Sequence, residues 1–286
     1  MRYIKYFFQY VFILIFFLLF KILGPKKSSS LGGNLFEKIG PLFRSKIIIH
    51  TNIKRAFPNI NSNDLNKITR LMWNNYGRVF AEYVFIKDFR NGKLTSNIQI
   101  DGQEILNEII RNNNQVVFIS GHLSNFELMA MHLEKSGIKL SAIYRPLNNV
   151  FLNNIMERIR KKYICQYQIE KGLGGLRKLI SLKKQNFSTA LMIDQRVSEG
   201  ILSKFFNTEA LTTTIPAQLV KKFNIPVVPL DIERIEDLKF KITISKPIHF
   251  SKEDSIKNIT DKLNSVLEEM IIKKPSQWIW SHNRWK

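Results

Sequence analysis

The feature that most restricts the fold is a sustained alternation of two residue patterns. Compact β-branched or aromatic runs occur at Gln115–Ile119, Lys139–Tyr144, Tyr163–Ile169, Thr189–Ile193 and Pro226–Ile232. Between them lie stretches with apolar residues at helical spacing: Phe126–Ser136, closed by Gly137, then Phe151–Lys162, Gly175–Lys184 and Ile215–Phe223. Runs of the first kind read as buried strands and stretches of the second as amphipathic helices. Strand and helix in alternation predict an α/β domain, a mostly parallel sheet flanked by helices. In such a sheet the chemistry sits on loops leaving the carboxyl ends of the strands. Further helices are predicted over Asp64–Val84, over Asp101–Arg111, and along a stripe from Ile256 to Met270. Lys239–Ser245 alternates as a half-exposed strand.

The amino-terminal residues do not belong to that pattern. Tyr3–Leu23 is apolar all round, interrupted only by Lys5, Gln9 and Lys21. As a helix it would be about 31 Å long, close to the thickness of a bilayer's hydrocarbon core. No small-residue cleavage site follows it, so a membrane anchor is a better reading than a signal peptide. A helix lying flat in the membrane interface fits the same Tyr, Phe and Lys content. Residues 24–34, GPKKSSSLGGN, have the composition of a linker. The expected organisation is an anchor over 1–24, a linker or interfacial segment over 25–40, and a catalytic domain over 41–286.

Of the 286 residues 44% are hydrophobic, which excludes a wholly disordered chain. A single cysteine, Cys165, excludes an internal disulfide framework and any multi-cysteine metal site. Its place inside a strand-like pattern reads as a buried thiol. His50, His132, His249 and His282 lack metal-ligand spacing, so no metal is expected. The net charge of +21 calls for an anionic partner: nucleic acid, anionic lipid or a phosphorylated substrate. The basic residues are spread along the chain without a nucleic-acid motif, which argues against nucleic acid. Such a basic body is expected on the cytoplasmic side of its membrane.

One strand-end loop carries a candidate site, Ser120-Gly-His-Leu-Ser-Asn-Phe-Glu127. His122 leaves the end of a buried strand, and Glu127 opens the next helix. Their spacing can return the carboxylate to the imidazole, fixing its tautomer and making His122 a general base for a hydroxyl. The same residues fit a capping box, in which Ser124 and Glu127 merely tie off the helix start. The spacing alone leaves both readings open.

GHLSNFE resembles the H-x4-D/E motif of the glycerolipid and lysophospholipid acyltransferase superfamily. With Tyr144-Arg-Pro-Leu-Asn-Asn149, Asp194-Gln195, Glu199-Gly-Ile201, Phe205-Phe206, Thr212–Thr214 and the tail Trp278-Ile-Trp-Ser-His-Asn-Arg-Trp285, it resembles the lipid A biosynthesis (lauroyl/myristoyl) acyltransferases in particular. Leu123-Ser-Asn-Phe126 stands where members often have Phe-Gly-Asn-Trp, and the Pro-Glu-Gly-Thr block of glycerol-phosphate acyltransferases is absent.

The resemblance implies His122 and Glu127 as the catalytic pair, and Arg145, Arg160, Asp194, Gln195 and Asn125 as substrate-binding residues. It implies acyl transfer from acyl carrier protein to a lipid A precursor at the bacterial inner membrane, without a cofactor. Another membrane O-acyltransferase of the superfamily, acting on a lysophospholipid or glycolipid, is the alternative. Trp278, Trp280 and Trp285 lie among basic residues and suit an interfacial depth. Read as ordinary structure, Arg160 belongs to a solvated helix face, Asp194 caps a loop and Thr212–Thr214 start a helix.

Overall fold

A computed structural model describes residues 2–286. Four helices open the chain: α1 (Arg2–Leu23), α2 (Pro25–Ile39), α3 (Lys46–Ala56) and α4 (Ser62–Glu82). Short α5 (Ile86–Asn91) leads to strand β1 (Ile98–Asp101) and helix α6 (Gln103–Arg111). The alternation then runs β2 (Val117–Ser120), α7 (Glu127–Lys135), β3 (Leu140–Tyr144), α8 (Val150–Tyr163), β4 (Tyr167–Glu170), α9 (Leu173–Lys184) and β5 (Ser188–Met192). A hairpin, β6 (Ile201–Phe205) and β7 (Thr208–Thr212), precedes α10 (Ile215–Phe223). The chain closes with β8 (Val227–Glu236), β9 (Lys239–Ile244) and α11 (Ile256–Lys273).

Seven strands make one sheet in the order β1-β9-β8-β2-β5-β3-β4, and only β8 and β9 pair antiparallel. The fold is thus the α/β architecture expected, with a mostly parallel sheet and flanking helices. Strand β2 lies at its centre, and all four of its residues are buried. A strand covered on both faces has to be a continuous apolar run, which is why Val117–Ile119 is so conspicuous in the sequence. Helix α8 runs on through Tyr163, so the strand expected over Tyr163–Ile169 begins only at Tyr167.

Residues 24–34 are not a linker. Pro25 stands in the first turn of α2, and Ser28, Ser29, Gly32 and Gly33 are buried on that helix. Their small size makes a contact face. A Cβ added at Gly77 of α4 would come within 1.9 Å of the Gly32 carbonyl oxygen, and one added at Gly32 within 2.8 Å of Ala81 Cβ. The two backbones approach more closely than any side chain allows, so composition that suggests flexibility serves close helix packing.

Helix α1 is long and apolar enough to cross a membrane. Its Phe20 is buried in the core, while Ile4, Phe8, Phe12, Ile15, Leu18 and Ile22 face outward. Trp278 and Trp280 are fully buried, so the carboxyl-terminal tail belongs to the interior and not to an interfacial belt. Cys165 is buried as expected, and burial pushes its thiol up to about 12.

Gly77→Ala is expected to lower unfolding free energy by about 1–3 kcal/mol through overpacking against α2. Gly174→Ala, where an added Cβ meets nothing within 4 Å, is expected to stay within about 0.5 kcal/mol of the native chain. Thermal unfolding of the two variants side by side checks this.

Candidate active site

Parallel neighbours β2 and β5 run in register, Ser120 opposite Met192. Two residues beyond each strand end stand His122 and Asp194, so adjacent parallel strands deliver them to the same place. His122 Nδ1 lies 2.8 Å from Asp194 Oδ1. Asp194 Oδ2 accepts the backbone N–H of His122 at 2.8 Å and the indole N–H of Trp278 at 2.9 Å. The carboxylate is wholly buried. Burial alone would raise its pKa, but the His122 charge and three donated hydrogen bonds outweigh it and hold Asp194 at about 2. Burial likewise works against a charged His122, and Asp194 prevails, raising the imidazole above its ordinary value.

With Nδ1–H directed at a carboxylate, the neutral imidazole carries its free lone pair on Nε2. No protein hydrogen bond occupies Nε2 among the described residues, and the ring lines a cavity of about 670 Å³. Phe126 packs edge-on against the ring, centroids 4.8 Å apart.

Glu127 takes a different partner from the one its spacing suggests. Its Oε1 accepts Arg160 Nε at 2.9 Å and Nη2 as well, tying α7 to α8. It is not hydrogen-bonded to the imidazole. The capping box does not form either: α7 begins after Phe126 with no side-chain cap, and Ser124 Oγ is buried without a partner. Ser124 instead takes a left-handed conformation, φ 44°, and its N–H donates to the Gln277 carbonyl at 2.9 Å. That turn brings His122 to its neighbour strand's carboxylate, while the helix it starts aims Glu127 at α8. Glu127 still acts on His122 through space, since its charge helps to raise the imidazole pKa.

The remaining candidate residues separate into two groups. Arg145, Arg160 and Gln195 line the cavity with His122 and Glu127. Arg160 is committed to Glu127, with its guanidinium 5.9 Å from the Tyr144 ring, and is no solvated surface charge. Arg145 is exposed and makes no ion pair or hydrogen bond among the described residues. Asn125 is buried outside the cavity lining, donating to Glu82 Oε2 at 3.0 Å. Thr212, Thr213 and Thr214 are buried before α10, and Thr212 Oγ1 accepts from Arg284 at 2.7 Å.

Several supporting residues had no sequence signal beyond their type. Glu82 is fully buried and gathers Ser29 Oγ, Asn125 Nδ2 and both terminal nitrogens of Arg234. An acid on the apolar face of α4 was the available clue. The carboxyl-terminal segment fastens both loops: the Gln277 carbonyl accepts from Ser124, Trp278 holds Asp194, His282 Nε2 accepts the Arg196 N–H at 3.0 Å, and Arg284 donates to the Leu211 carbonyl. Its Trp- and Arg-rich composition flagged the segment without giving its role.

Asp194→Ala is expected to cost about 3–5 kcal/mol of unfolding free energy, because it strands three buried donors at once. Glu127→Gln, which keeps an acceptor for Arg160, is expected to cost clearly less. Denaturant titration with the midpoints compared checks the order.

Comparison with known proteins follows the same line. A sequence profile described as "Bacterial lipid A biosynthesis acyltransferase" matches residues 1–286. The chain is 22% identical over 253 residues to the Lipid A biosynthesis myristoyltransferase of Escherichia coli K12, covering 87% of this chain and 76% of that one. It is 23% identical over 259 residues to a Lipid A biosynthesis acyltransferase of Haemophilus influenzae, covering 89% and 81%. To Lipid A biosynthesis acyltransferase 2 of Shigella flexneri it is 25% identical over 186 residues, and the match spans 63% of this chain and only 58% of that protein. With its whole length matched, the chain belongs to the bacterial lipid A biosynthesis acyltransferase family.

Proposed function

We propose that this protein transfers a fatty acyl chain from acyl carrier protein to the 3-hydroxyacyl hydroxyl of a phosphorylated lipid A precursor. The observation that carries the reading is the unpartnered Nε2 of His122, facing a largely apolar cavity while Nδ1 rests on a buried carboxylate. His122 Nε2 removes the hydroxyl proton, and the oxygen attacks the thioester carbonyl. The carbon–sulfur bond breaks, and the imidazolium returns the proton to the departing thiolate. Asp194 takes the orienting role first expected of Glu127, keeping the tautomer and stabilising the imidazolium. Backbone N–H groups at the start of α7 serve the developing oxyanion. No cofactor takes part.

Glu127 and Arg160 form a paired charge beside the base. Arg160 is already bonded to Glu127, which leaves Arg145 as the guanidinium free to meet an acceptor phosphate. The strongly basic body suits an anionic inner-membrane surface, where each nearby Lys or Arg contributes about 1 kcal/mol, and an acidic carrier protein. With α1 in the membrane, the catalytic domain lies on the cytoplasmic side.

Substitution, pH dependence and product analysis each test this. His122→Ala is expected to lower kcat by about 10²–10⁴-fold, measured on the folded fraction because the buried Asp194 loses a donor. The base works only when neutral, so wild-type kcat/KM is expected to fall as pH drops through a value above 6.5, the ordinary histidine figure. Asp194→Asn is expected to move that limb downward and to slow the plateau, whereas Glu127→Gln moves it down less and keeps more activity. Arg145→Ala is expected to raise KM for the phosphorylated acceptor and to leave a dephosphorylated one unaffected. Mass spectrometry of products from acyl-carrier donors and a tetra-acylated precursor tests the reaction itself. Acylation of a lysophospholipid in place of that precursor would favour the alternative acceptor.

A further inference from the structure

Helix α1 reads from its sequence as an anchor, yet its contacts run along the body for most of its length. Near its start, Asn149 Nδ2 donates to the Tyr6 carbonyl at 2.9 Å and to Gln9 Oε1 at 3.3 Å. Phe7 and Tyr10 pack on Phe151 of α8, centroids 5.9 and 5.7 Å apart. Near its end, Phe17 and Phe20 pack on Phe80 of α4 at 5.3 and 6.0 Å, and Ser28 Oγ caps the Phe20 carbonyl at 2.6 Å. Tyr6 to Phe20 is about 21 Å of helix. The half-buried or buried positions 6, 10, 13, 14, 16, 17, 20 and 23 make one helical face, and most of the large exposed apolar side chains occupy the other.

Between these fixed ends, Ile13, Leu14 and Phe17 line the cavity that holds His122. A helix standing clear of the domain to cross a bilayer would leave the cavity open on that side. Fixed as it is, α1 presents lipid-compatible surface outward and an apolar wall inward. We propose that α1 is part of the substrate site: Ile13, Leu14 and Phe17 contact an alkyl chain of a lipid substrate, while the opposite face of the helix lies in the membrane interface. The proposal rests on the acyl-transfer reading for the identity of that chain. The donor's acyl chain and a chain of the acceptor are the two sources of such a ligand.

The test uses full-length protein in detergent micelles, where an anchor alone is dispensable. Leu14→Trp and Phe17→Ala are compared with Phe12→Ala and Ile15→Ala on the outer face. Donors of 10 to 16 carbons and acceptors of varied chain length supply the two arms. Leu14→Trp is expected to lower kcat/KM for the longest chains by about tenfold relative to the shortest, and Phe17→Ala to relax the preference. The outer-face variants are expected to keep the wild-type profile. A shift confined to one arm assigns the chain to that substrate. Unchanged profiles in both arms for Leu14→Trp and Phe17→Ala would overturn the proposal.

A second readout does not need turnover. A diazirine-bearing fatty acyl probe is expected to label Ile13, Leu14 and Phe17 in a manner competed by unlabelled lipid. Labelling restricted to Phe12, Ile15 and Leu18 would overturn the wall. Competed labelling at 13, 14 and 17 in a protein that transfers no acyl chain to lipid A precursors would keep the wall and discard the acyl-transfer reading.

Discussion

A carboxylate with no access to water, Asp194, fixes the geometry on which the rest of this site depends. Desolvating such a charge is costly unless every lone pair finds a donor. Here the backbone and ring of His122 and the indole of Trp278 supply three. Those donors come from the loop after β2 and from the carboxyl-terminal tail, while the acceptor follows β5. One buried charge therefore joins two adjacent strand ends and the last residues of the chain. It also orients the histidine, since an Nδ1–H turned toward Asp194 leaves Nε2 bare, the atom that serves as base in the proposed reaction.

The surroundings reinforce that arrangement with further buried polar pairs. Glu82, fully buried, pairs with the largely buried Arg234 and draws in Asn125 from the histidine loop and Ser29 from α2. Arg284, with no exposed surface, sits 5.0 Å from the Phe205 ring and donates to Leu211 and Thr212 at the hairpin. These residues do not reach the cavity. They hold the loops from which the cavity's polar residues project, so that a strained turn at Ser124 can persist. Helix α1 covers the apolar side of the same space, which brings an outwardly apolar helix and His122 into one construction.

Much of this was legible in the sequence, for physical reasons. Strands buried on both faces must be apolar and β-branched, and amphipathic helices must show a stripe, so the α/β alternation could be read directly. His122 stood out because it follows a buried strand. Its partner did not, because Asp194 lies 72 residues away and only the pairing of β2 with β5 brings the two together. Glu127 was the nearer carboxylate in sequence, and proximity along the chain favoured it. The small residues of α2 suggested flexibility because composition does not reveal a helix packed across Gly77. The tryptophans of the tail suggested an interface because an aromatic, basic segment looks the same whether it meets lipid or buries itself under a hairpin.

The central claim, that Asp194 and not Glu127 sets the state of His122, is open to direct observation. Nitrogen-15 NMR of histidine-labelled protein, above the imidazole pKa and assigned by loss of the signal in His122→Gln, reports the tautomer. Nδ1 is expected to be protonated and Nε2 bare in the native protein and in Glu127→Gln, with that signature lost in Asp194→Asn. An Nε2-protonated ring in the native protein, or a signature that survives Asp194→Asn and vanishes in Glu127→Gln, would contradict it.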